Sequence, residues 1–248
     1  HLVGIDVIAH VSKNFEAQAF RIKDERAEVV LVPFVEEMIE KRWLGDKSGQ
    51  GFYKKEGRDA EGRDIRLVLD WRTLDYKAST RPKFPALEMA KNVESVAARI
   101  PQLLHADPSK DKAAAFYWPL LTQLFTYAAN RVPEIADNIV AVDQAMKTGF
   151  NWELGPFEMF DAAGVRATTE KMRAESLPIA ANVEALLAAG ESWYKEDASV
   201  PSGRLFFDLV SGAYKPVLLA DGITSLAAIK KVNGIVRKNS GASVIDLG

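Results

Sequence analysis

Residues 135–164, IADNIVAVDQAMKTGFNWELGPFEMFDAAG, are the stretch from which the fold class is predicted most directly. Its first half carries apolar side chains at intervals of four, three and four residues: Ile135, Ile139, Val142 and Met146. This spacing places them on one face of a helix. Gly149 is expected to end that helix, and the turn Gly155-Pro156-Phe157 to start the next one. The stretch therefore predicts two successive helices.

Helical spacing recurs along most of the chain. Apolar periodicity predicts further helices over 4–20, 30–44, 86–104 and 182–189, and a buried helix pair over 113–129. After Pro201 the pattern changes, because segments 204–209 and 214–218 flank the turn Ser211-Gly212, as in a β-hairpin. The sequence thus predicts a mainly α fold with a small C-terminal β-hairpin.

A weak internal repeat indicates a duplicated domain. The segment Gly49-Gln50-Gly51-Phe52-Tyr53-Lys54 matches Gly190-Glu191-Ser192-Trp193-Tyr194-Lys195, and Gly4-Ile5 corresponds to Gly164-Val165. Two copies are visible, which favours duplication over a solenoid. Both ends of the sequence stop within apolar runs, as expected of a piece of a longer protein. We expect four regions: the end of a first helical domain (1–55), a linker with a helix (56–112), a second helical domain (113–200) and a β-rich junction (201–248).

The composition of the chain argues against several classes of function and of site. The chain has 32 basic and 34 acidic residues, with both signs interspersed, so a nucleic-acid partner is not expected. There is no cysteine, which excludes disulfides and thiolate zinc sites and makes a cytoplasmic location the natural expectation. No run of about eighteen apolar residues is present, so we expect no membrane span.

The common catalytic motifs are not found. Gly49 and Gly51 supply half of a dinucleotide-binding pattern, but Lys54 occupies the third glycine position and the pattern follows a helix. His10 and His105 are scattered and lack zinc-ligand spacing. His10 is more simply a partner of Asp6 on a helix face than a catalytic base. We therefore predict no catalytic, cofactor-binding or metal-binding residue in this chain.

Three segments, in this order, resemble the C-terminal helical domain of the 3-hydroxyacyl-CoA dehydrogenase family. Gly4-Ile5-Asp6 followed by residues 44–53 is similar to the end of one such domain. Asn130-Arg131, with residues 142–149 and 155–161, is similar to the core of a second copy. Residues 239–248 resemble the junction that leads into an enoyl-CoA hydratase domain in multifunctional members. The resemblance implies a duplicated helical dehydrogenase C-terminal domain, of the type also found in 6-phosphogluconate dehydrogenase.

The family's activity is the NAD-dependent oxidation of 3-hydroxyacyl-CoA to 3-ketoacyl-CoA in fatty-acid β-oxidation. The resemblance implies that NAD and the catalytic His–Glu pair belong to a nucleotide-binding domain that precedes residue 1, and that a hydratase domain follows. It also implies an acyl-CoA substrate and a homo-oligomer or a thiolase partner. The chain by itself is then expected to be inactive and to bind no NAD, its helices closing one side of the acyl-CoA cleft.

Two residues are candidates for substrate contact. Asn130 matches the family's Asn-Arg motif, which lies near the substrate carbonyl, although a helix-bridging role is the simpler interpretation. Lys47 is a candidate for contact with the acyl-CoA phosphates or with a neighbouring domain, against the plain alternative of a solvated turn lysine.

Two other functions stay open from the sequence. The chain could be a non-catalytic acyl-CoA-binding or assembly module. It could also be the helical half of another dehydrogenase, such as 6-phosphogluconate dehydrogenase, although the duplicated unit and the hydratase-like exit argue against this.

Overall fold

The computed structural model describes residues 2–18, 31–223, 225–232 and 235–245. Two compact units follow one another along the chain, His1–Pro82 and Lys83–Gly248. In the described part of the chain, helices predominate and the sheets are small and antiparallel. The mainly α fold class is confirmed.

The first unit contains two helices and one sheet. They are α1 (Ile5–Gln18), α2 (Pro33–Glu40), β1 (Tyr53–Arg58), β2 (Asp64–Leu69) and β3 (Tyr76–Ala78), with a 3-10 turn at Asp46–Ser48. Pro33 stands in the first turn of α2, where its missing N–H is not needed. The strands pair antiparallel in the order β1-β2-β3. A small cluster joins helices and sheet through Ile5, Val35, Met38 and Leu69.

The second unit begins with seven helices. They are α3 (Pro85–Lys91), α4 (Val96–Leu104), α5 (Lys112–Asn130), α6 (Ile139–Phe150), α7 (Pro156–Ala163), α8 (Val165–Ala174) and α9 (Ala181–Ala189). A second antiparallel sheet follows, in the order β4 (Tyr194–Glu196), β5 (Arg204–Asp208) and β6 (Ala213–Pro216). The chain continues through α10 (Leu226–Val232), β7 (Ile235–Lys238) and β8 (Ser243–Ile245). The predicted hairpin is confirmed as β5 paired with β6.

Aromatic side chains form the centre of the second unit. Phe125 of α5 stacks on Phe160 of α7 with ring centroids 4.4 Å apart. Trp193, which is fully buried, meets Phe157 edge-on at 4.9 Å. Such aromatic pairs add to the stabilisation from area burial alone. This core fixes α5 and α7 against the start of the second sheet.

The stretch 135–164 forms two helices as predicted, with differences at the first helix. Asn138 caps α6 by accepting a hydrogen bond from the Ala141 N–H at 3.0 Å. Ile135 therefore lies before the helix, where it is largely exposed, and its predicted place on the helix face was wrong. Helix α6 runs past Gly149 to Phe150, and the left-handed residue that follows is Asn151.

The predicted helix pair over 113–129 is wrong, because α5 continues through Pro119 as one helix. A proline removes one backbone donor from a helix. The carbonyl left without that donor belongs to Ala115, and both residues are exposed. The Thr122 hydroxyl also donates to the Trp118 carbonyl at 2.8 Å, beside the proline. The break is therefore tolerated on the solvent side of the helix.

The predicted linker over 56–112 is divided between the two units. Its first part completes the sheet of the first unit. Strand β1 lies at the edge of that sheet, and its charged side chains do not show the apolar alternation by which a strand is predicted from sequence. Its second part forms α3 and α4 of the second unit. Asp111 ties α3 to α5, since its carboxylate accepts from the N–H groups of Ala86 and Ala113, both at 2.7 Å.

The two units repeat one arrangement of a helix pair and a three-stranded sheet. The Leu69 N–H donates to the Phe52 carbonyl at 2.9 Å. Its counterpart, Phe207, donates to the Trp193 carbonyl at 2.8 Å. The equivalence extends to side chains: the Tyr76 hydroxyl donates to Gly51 O and the Tyr214 hydroxyl to Ser192 O, each at 2.6 Å. These equivalent hydrogen bonds confirm the duplication predicted from the sequence.

Candidate functional site

A buried carboxylate on α6 organises the second unit's repeat. Asp143 accepts hydrogen bonds from the backbone N–H groups of Phe157 and Glu158, at 2.9 and 3.1 Å. Both donors lie in the first turn of α7, where N–H groups have no partner within the helix. The Tyr194 hydroxyl donates to the same carboxylate at 2.8 Å. One side chain thus joins α6, α7 and β4.

Gly155 allows this contact. A Cβ atom at Gly155 would stand 2.4 Å from the Asp143 Cα, much closer than real carbon atoms approach. The requirement at this position is therefore steric. It explains why a glycine precedes the Pro-Phe-Glu turn in the stretch on which the fold prediction rests.

Glu158 forms a second, charged cluster beside Asp143. Its carboxylate accepts from the Gly155 N–H at 3.0 Å and pairs with the Lys147 ammonium at 3.1 Å. The Arg204 guanidinium of β5 pairs with it at 2.6 Å and lies over the Tyr194 ring, 3.6 Å from its centroid. Planar stacking and charge pairing together suit an arginine.

Asp161 joins the end of α7 to the second sheet. It accepts from the backbone N–H groups of Trp193 and Tyr194, at 2.6 and 2.8 Å. Together, Asp143, Glu158 and Asp161 bind backbone donors at both ends of α7. The three carboxylates therefore fix the position of α7 relative to the sheet.

Burial changes the protonation of these acids. It raises the pKa of Asp143 to about 6, against the opposing effect of the Phe157 N–H, and the pKa of Asp161 to about 7. Burial acts on Glu158 in the same direction, but Arg204, the Gly155 N–H and Lys147 outweigh it and hold its pKa below the usual value. All three acids are held by protein donors, which ties α7 to α6 and to the second sheet.

Asn130 is the last residue of α5 and is half-buried. The backbone around it is held by Asn182 of α9, whose amide donates to the carbonyls of Ala129 and Val132, at 2.7 and 3.1 Å. The chain direction after α5 is therefore set by a side chain from another helix. Substrate contact by Asn130 stays a prediction.

Lys47 lies in the 3-10 turn of the first unit. Its ammonium pairs with the Asp6 carboxylate of α1 at 2.6 Å, and its side chain is 42% exposed. The hydrogen bond from Lys47 lowers the pKa of Asp6. In the second unit the equivalent helix, α8, is joined to the equivalent turn by an ion pair with reversed charges, because Arg166 pairs with Glu191 at 3.0 Å. Lys47 and Asn130 belong to different units, and contact of Lys47 with a ligand stays a prediction.

An apolar groove lies beside α6 in the second unit. Its volume is about 450 Å³, and its walls come from α6, the residue before it and the second sheet: Asn138, Val140, Ala141, Gln144, Phe206, Lys215, Pro216 and Leu218. Lys215, its one cation, pairs with Asp208. Such a groove fits an elongated apolar group of a ligand, with the Lys215 side chain of the protein beside it.

The glycine turn at residues 49–51 does not have the geometry of a dinucleotide site. A dinucleotide site needs a parallel strand that leads through a glycine turn into a helix N-terminus. Gly49 instead ends a 3-10 turn in a left-handed conformation, and the chain then enters β1 of an antiparallel sheet.

Within 2–18, 31–223, 225–232 and 235–245, no three His, Cys, Asp or Glu side chains come together as a possible metal site. Among the helices of the same ranges, none combines the length and the apolar character needed to cross a membrane.

The charged cluster contains residues that sequence reasoning missed. From the sequence, Arg204 is only part of a predicted strand and Tyr194 only part of the internal repeat. Arg204 and Glu158 are 46 residues apart, and no local spacing connects them. Asp143 was noted within the stretch 142–149, but its role as a cap for α7 follows only from the structure.

Comparison with known proteins points to one family. Residues 119–194 match the model described as "3-hydroxyacyl-CoA dehydrogenase, C-terminal domain". The chain is 40% identical over 250 residues to "Probable 3-hydroxyacyl-CoA dehydrogenase" of Bacillus subtilis (strain 168), covering 100% of this chain and 29% of that protein. It is 29% identical over 163 residues to "Putative fatty acid oxidation complex trifunctional enzyme" of Rickettsia felis, covering 65% of this chain and 20% of that protein.

A second Rickettsia protein of the same description, from Rickettsia prowazekii, is 25% identical over 162 residues. The chain spans less than a third of the length of each of these relatives. No solved structure matches the chain.

Proposed function

We propose that this chain, whose residues 119–194 match the C-terminal domain of the 3-hydroxyacyl-CoA dehydrogenase family, is the helical part of a larger NAD-dependent enzyme of that family. That enzyme oxidises 3-hydroxyacyl-CoA to 3-ketoacyl-CoA in fatty-acid β-oxidation. The observation that carries the proposal is the 40% identity to the Bacillus subtilis relative along the whole chain.

The role of this chain in the larger enzyme is architectural. The carboxylates of Asp143, Glu158 and Asp161 are engaged by donors within the protein. They stabilise a rigid helical layer and do not serve as acid or base for a substrate. The apolar groove beside α6 supports a place for this layer at one side of the acyl-CoA cleft.

The remaining parts of the enzyme lie outside this chain. NAD and the catalytic pair are held by a nucleotide-binding domain, and a hydratase domain belongs to the same longer protein. The description "trifunctional enzyme" of the Rickettsia relatives supports this multidomain arrangement. A homo-oligomer or a thiolase completes the proposed set of partners. The absence of cysteine supports a cytoplasmic location.

NADH formation from 3-hydroxyacyl-CoA tests the proposal. The longer natural protein is expected to produce NADH, and the 248-residue chain alone is expected to produce none. An inactive longer protein, or turnover by the chain alone, would contradict the proposal.

Lys47 is tested in the same assay. If Lys47 contacts the acyl-CoA phosphates, Lys47→Ala in the longer protein raises KM several-fold, roughly the effect of one lost charge contact, and leaves kcat unchanged. Asp6→Asn is the matched control, since it removes the same ion pair but keeps the cation. An equal change in both variants shows a structural role for Lys47 only.

The apolar groove also favours a second candidate, a module that binds acyl-CoA without reaction. Calorimetric titration of the 248-residue chain with a long-chain acyl-CoA distinguishes the two. Micromolar binding that Phe206→Ser weakens, while Phe150→Ser does not, supports the module. Phe206 lines the groove, whereas Phe150 is exposed and does not line it. No binding leaves the architectural role.

A further inference from the structure

Two of the three carboxylates that fix α7 have no charged partner. Glu158 pairs with both cations of the cluster, Lys147 of α6 at 3.1 Å and Arg204 of β5 at 2.6 Å. Within the described part of the chain, neither Asp143 nor Asp161 forms an ion pair. Both are held by uncharged donors instead, backbone N–H groups and one tyrosine hydroxyl. The cluster therefore holds three acids but two cations.

A buried carboxyl group without a counter-ion favours its neutral form, because burial removes the water that stabilises the charge. Burial raises the pKa of Asp143 to about 6. Burial also raises the pKa of Asp161 to about 7, and the nearby charge of Asp143 adds to this effect. Both acids therefore exchange protons with the solvent near neutral pH, where an ordinary aspartate is always charged.

The elements packed around the two acids set this balance. On α7, the Glu158 carboxylate adds negative charge beside Asp143 and raises its pKa. On β5, Arg204 lowers the pKa of Asp161, although its ion pair is with Glu158. On β4, the Tyr194 hydroxyl donates to Asp143 and stays protonated, because burial raises its own pKa. None of these groups neutralises the charge of both acids.

Opening of α7 would expose both acids to water, where their pKa returns to the ordinary value. The closed arrangement therefore binds protons more strongly than the opened one and loses stability as pH rises through about 6 and 7. Tyr194 couples the two acids, because its hydroxyl donates to Asp143 and its backbone N–H to Asp161. Loss of both protons places a charge at each end of this one residue.

We propose that Asp143 and Asp161 form a pH-sensitive latch, which holds α7 against α6 and the second sheet while the two acids are protonated and loosens α7 when both are charged. Helix α6 also lines the apolar groove, with Val140 and Ala141 among its wall residues. Because Asp143 ties α6 to α7, the latch also controls how firmly this wall is held. The inference goes beyond the proposed function and does not depend on it.

Hydrogen exchange at the amides that donate to the two acids tests the latch in the 248-residue chain. These amides belong to Phe157, Glu158, Trp193 and Tyr194. Their protection, corrected for the intrinsic effect of pH on exchange, is expected to fall by about tenfold or more from pH 5 to pH 8. A difference of one pKa unit between the closed and opened states corresponds to a tenfold change in the opening equilibrium.

Asp111 provides the matched control. Its carboxylate also accepts from backbone N–H groups, those of Ala86 and Ala113 at 2.7 Å. The bond from Ala86 lowers the pKa of Asp111, so this acid stays charged between pH 5 and 8. The amides of Ala86 and Ala113 are expected to keep a constant protection. An equal fall at these two amides, or constant protection at the four amides of the latch, overturns the inference.

Neutral variants identify the acids responsible. Asp143→Asn and Asp161→Asn combined are expected to reduce the pH-dependent change in protection to about twofold or less, because neither position can then titrate. Asp111→Asn is expected to leave the change at the four amides of the latch intact. Full pH dependence in the combined variant, or its loss in Asp111→Asn, rejects the assignment to Asp143 and Asp161.

Carboxyl ¹³C NMR of the unsubstituted chain tests the latch even if the combined variant does not fold. Two aspartate carboxyl groups are expected to titrate with midpoints near those raised by burial, about 6 and about 7. Absence of any aspartate that titrates in this range overturns the inference.

Methyl NMR of Val140 and Ala141 tests the wall of the groove. Their signals are expected to change with the same midpoints, and signals that stay constant while the four amides respond reject control of this wall. No ligand or turnover is required, so these results stand apart from the test of the proposed function.

Discussion

The two units of this chain carry the same helix–turn–sheet arrangement on cores of very different size. The second unit's main cluster joins twenty buried apolar residues, and the cluster of the first unit joins four among the described residues. The backbone bonds from Leu69 to Phe52 and from Phe207 to Trp193 are nevertheless equivalent. The arrangement of turn and sheet is therefore common to both units, whereas the larger core of the second unit includes residues of α5, α6 and α7.

The largest expected difference between the units is the loss of unfolding free energy when an equivalent aromatic side chain, Trp193 or Phe52, is replaced. Trp193→Ala removes a fully buried side chain that packs on Phe157 and Phe160 and is expected to cost about 3–5 kcal/mol of unfolding free energy. Phe52→Ala is the matched variant in the first unit. Phe52 is half-buried against Phe34, so a loss of about 1–2 kcal/mol is expected. Urea unfolding measures both, and equal losses would contradict the contrast between the cores.

The second-largest expected difference in stability is between replacement of Arg204 and replacement of Arg66, which hold equivalent positions in the two sheets. Arg204→Ala leaves Glu158, whose side chain is 7% exposed, with Lys147 as its remaining cation. We expect a loss of about 1–3 kcal/mol from the weakened buried pair. Arg66→Ala in the 248-residue chain changes an exposed side chain and is expected to stay within about 0.5 kcal/mol. Urea unfolding midpoints at neutral pH measure the stability change of each variant. Similar changes in both would show that burial does not distinguish the two positions.

A smaller effect is expected from pH. Burial raises the pKa of Asp143 to about 6, so between pH 5 and 8 the folded state binds more protons than the unfolded state. Stability of the second unit therefore falls as pH rises through this window, by on the order of 1 kcal/mol for Asp143. In the first unit Lys47 lowers the pKa of Asp6 and Lys77 that of Asp70, so these acids stay charged throughout.

Asp143→Asn is expected to flatten part of this pH dependence, whatever its effect on absolute stability. Asp161, with its pKa raised by burial to about 7, contributes in the same direction and is tested with Asp161→Asn. Unfolding midpoints at pH 5, 6, 7 and 8 give the slopes. A slope that neither variant changes would show that the buried carboxylates of this cluster are not its source.

Local patterns in the sequence predicted the elements whose signal is local. The helices of the stretch 135–164, the hairpin after Pro201 and the repeat between Gly49–Lys54 and Gly190–Lys195 are all confirmed. Strand β1 was missed because its residues, Tyr53–Arg58, are mostly charged and lie at a sheet edge. The division of residues 56–112 between two units was missed because contacts far apart in sequence decide it.

In the candidate site, too, the sequence predicted only the features whose residues lie close together along the chain. Asp143 and the Gly-Pro-Phe turn were visible as a motif, since both lie in one continuous stretch. The pairing of Glu158 with Arg204 was not, because the strand carrying Arg204 reaches α7 only after the chain has folded. The role predicted for Asn130 came from the family resemblance and the role predicted for Lys47 from charge attraction, and both stay predictions.

Hydrogen exchange at two equivalent amides tests most directly the claim that one repeated arrangement is covered in the second unit and open in the first. In the 248-residue chain, the Phe207 amide lies behind the helical layer and the Leu69 amide lies in the small unit. We predict that the Phe207 amide exchanges slower by about 100-fold or more, as expected when local opening differs by several kcal/mol. Equal exchange rates at the two amides would contradict the account.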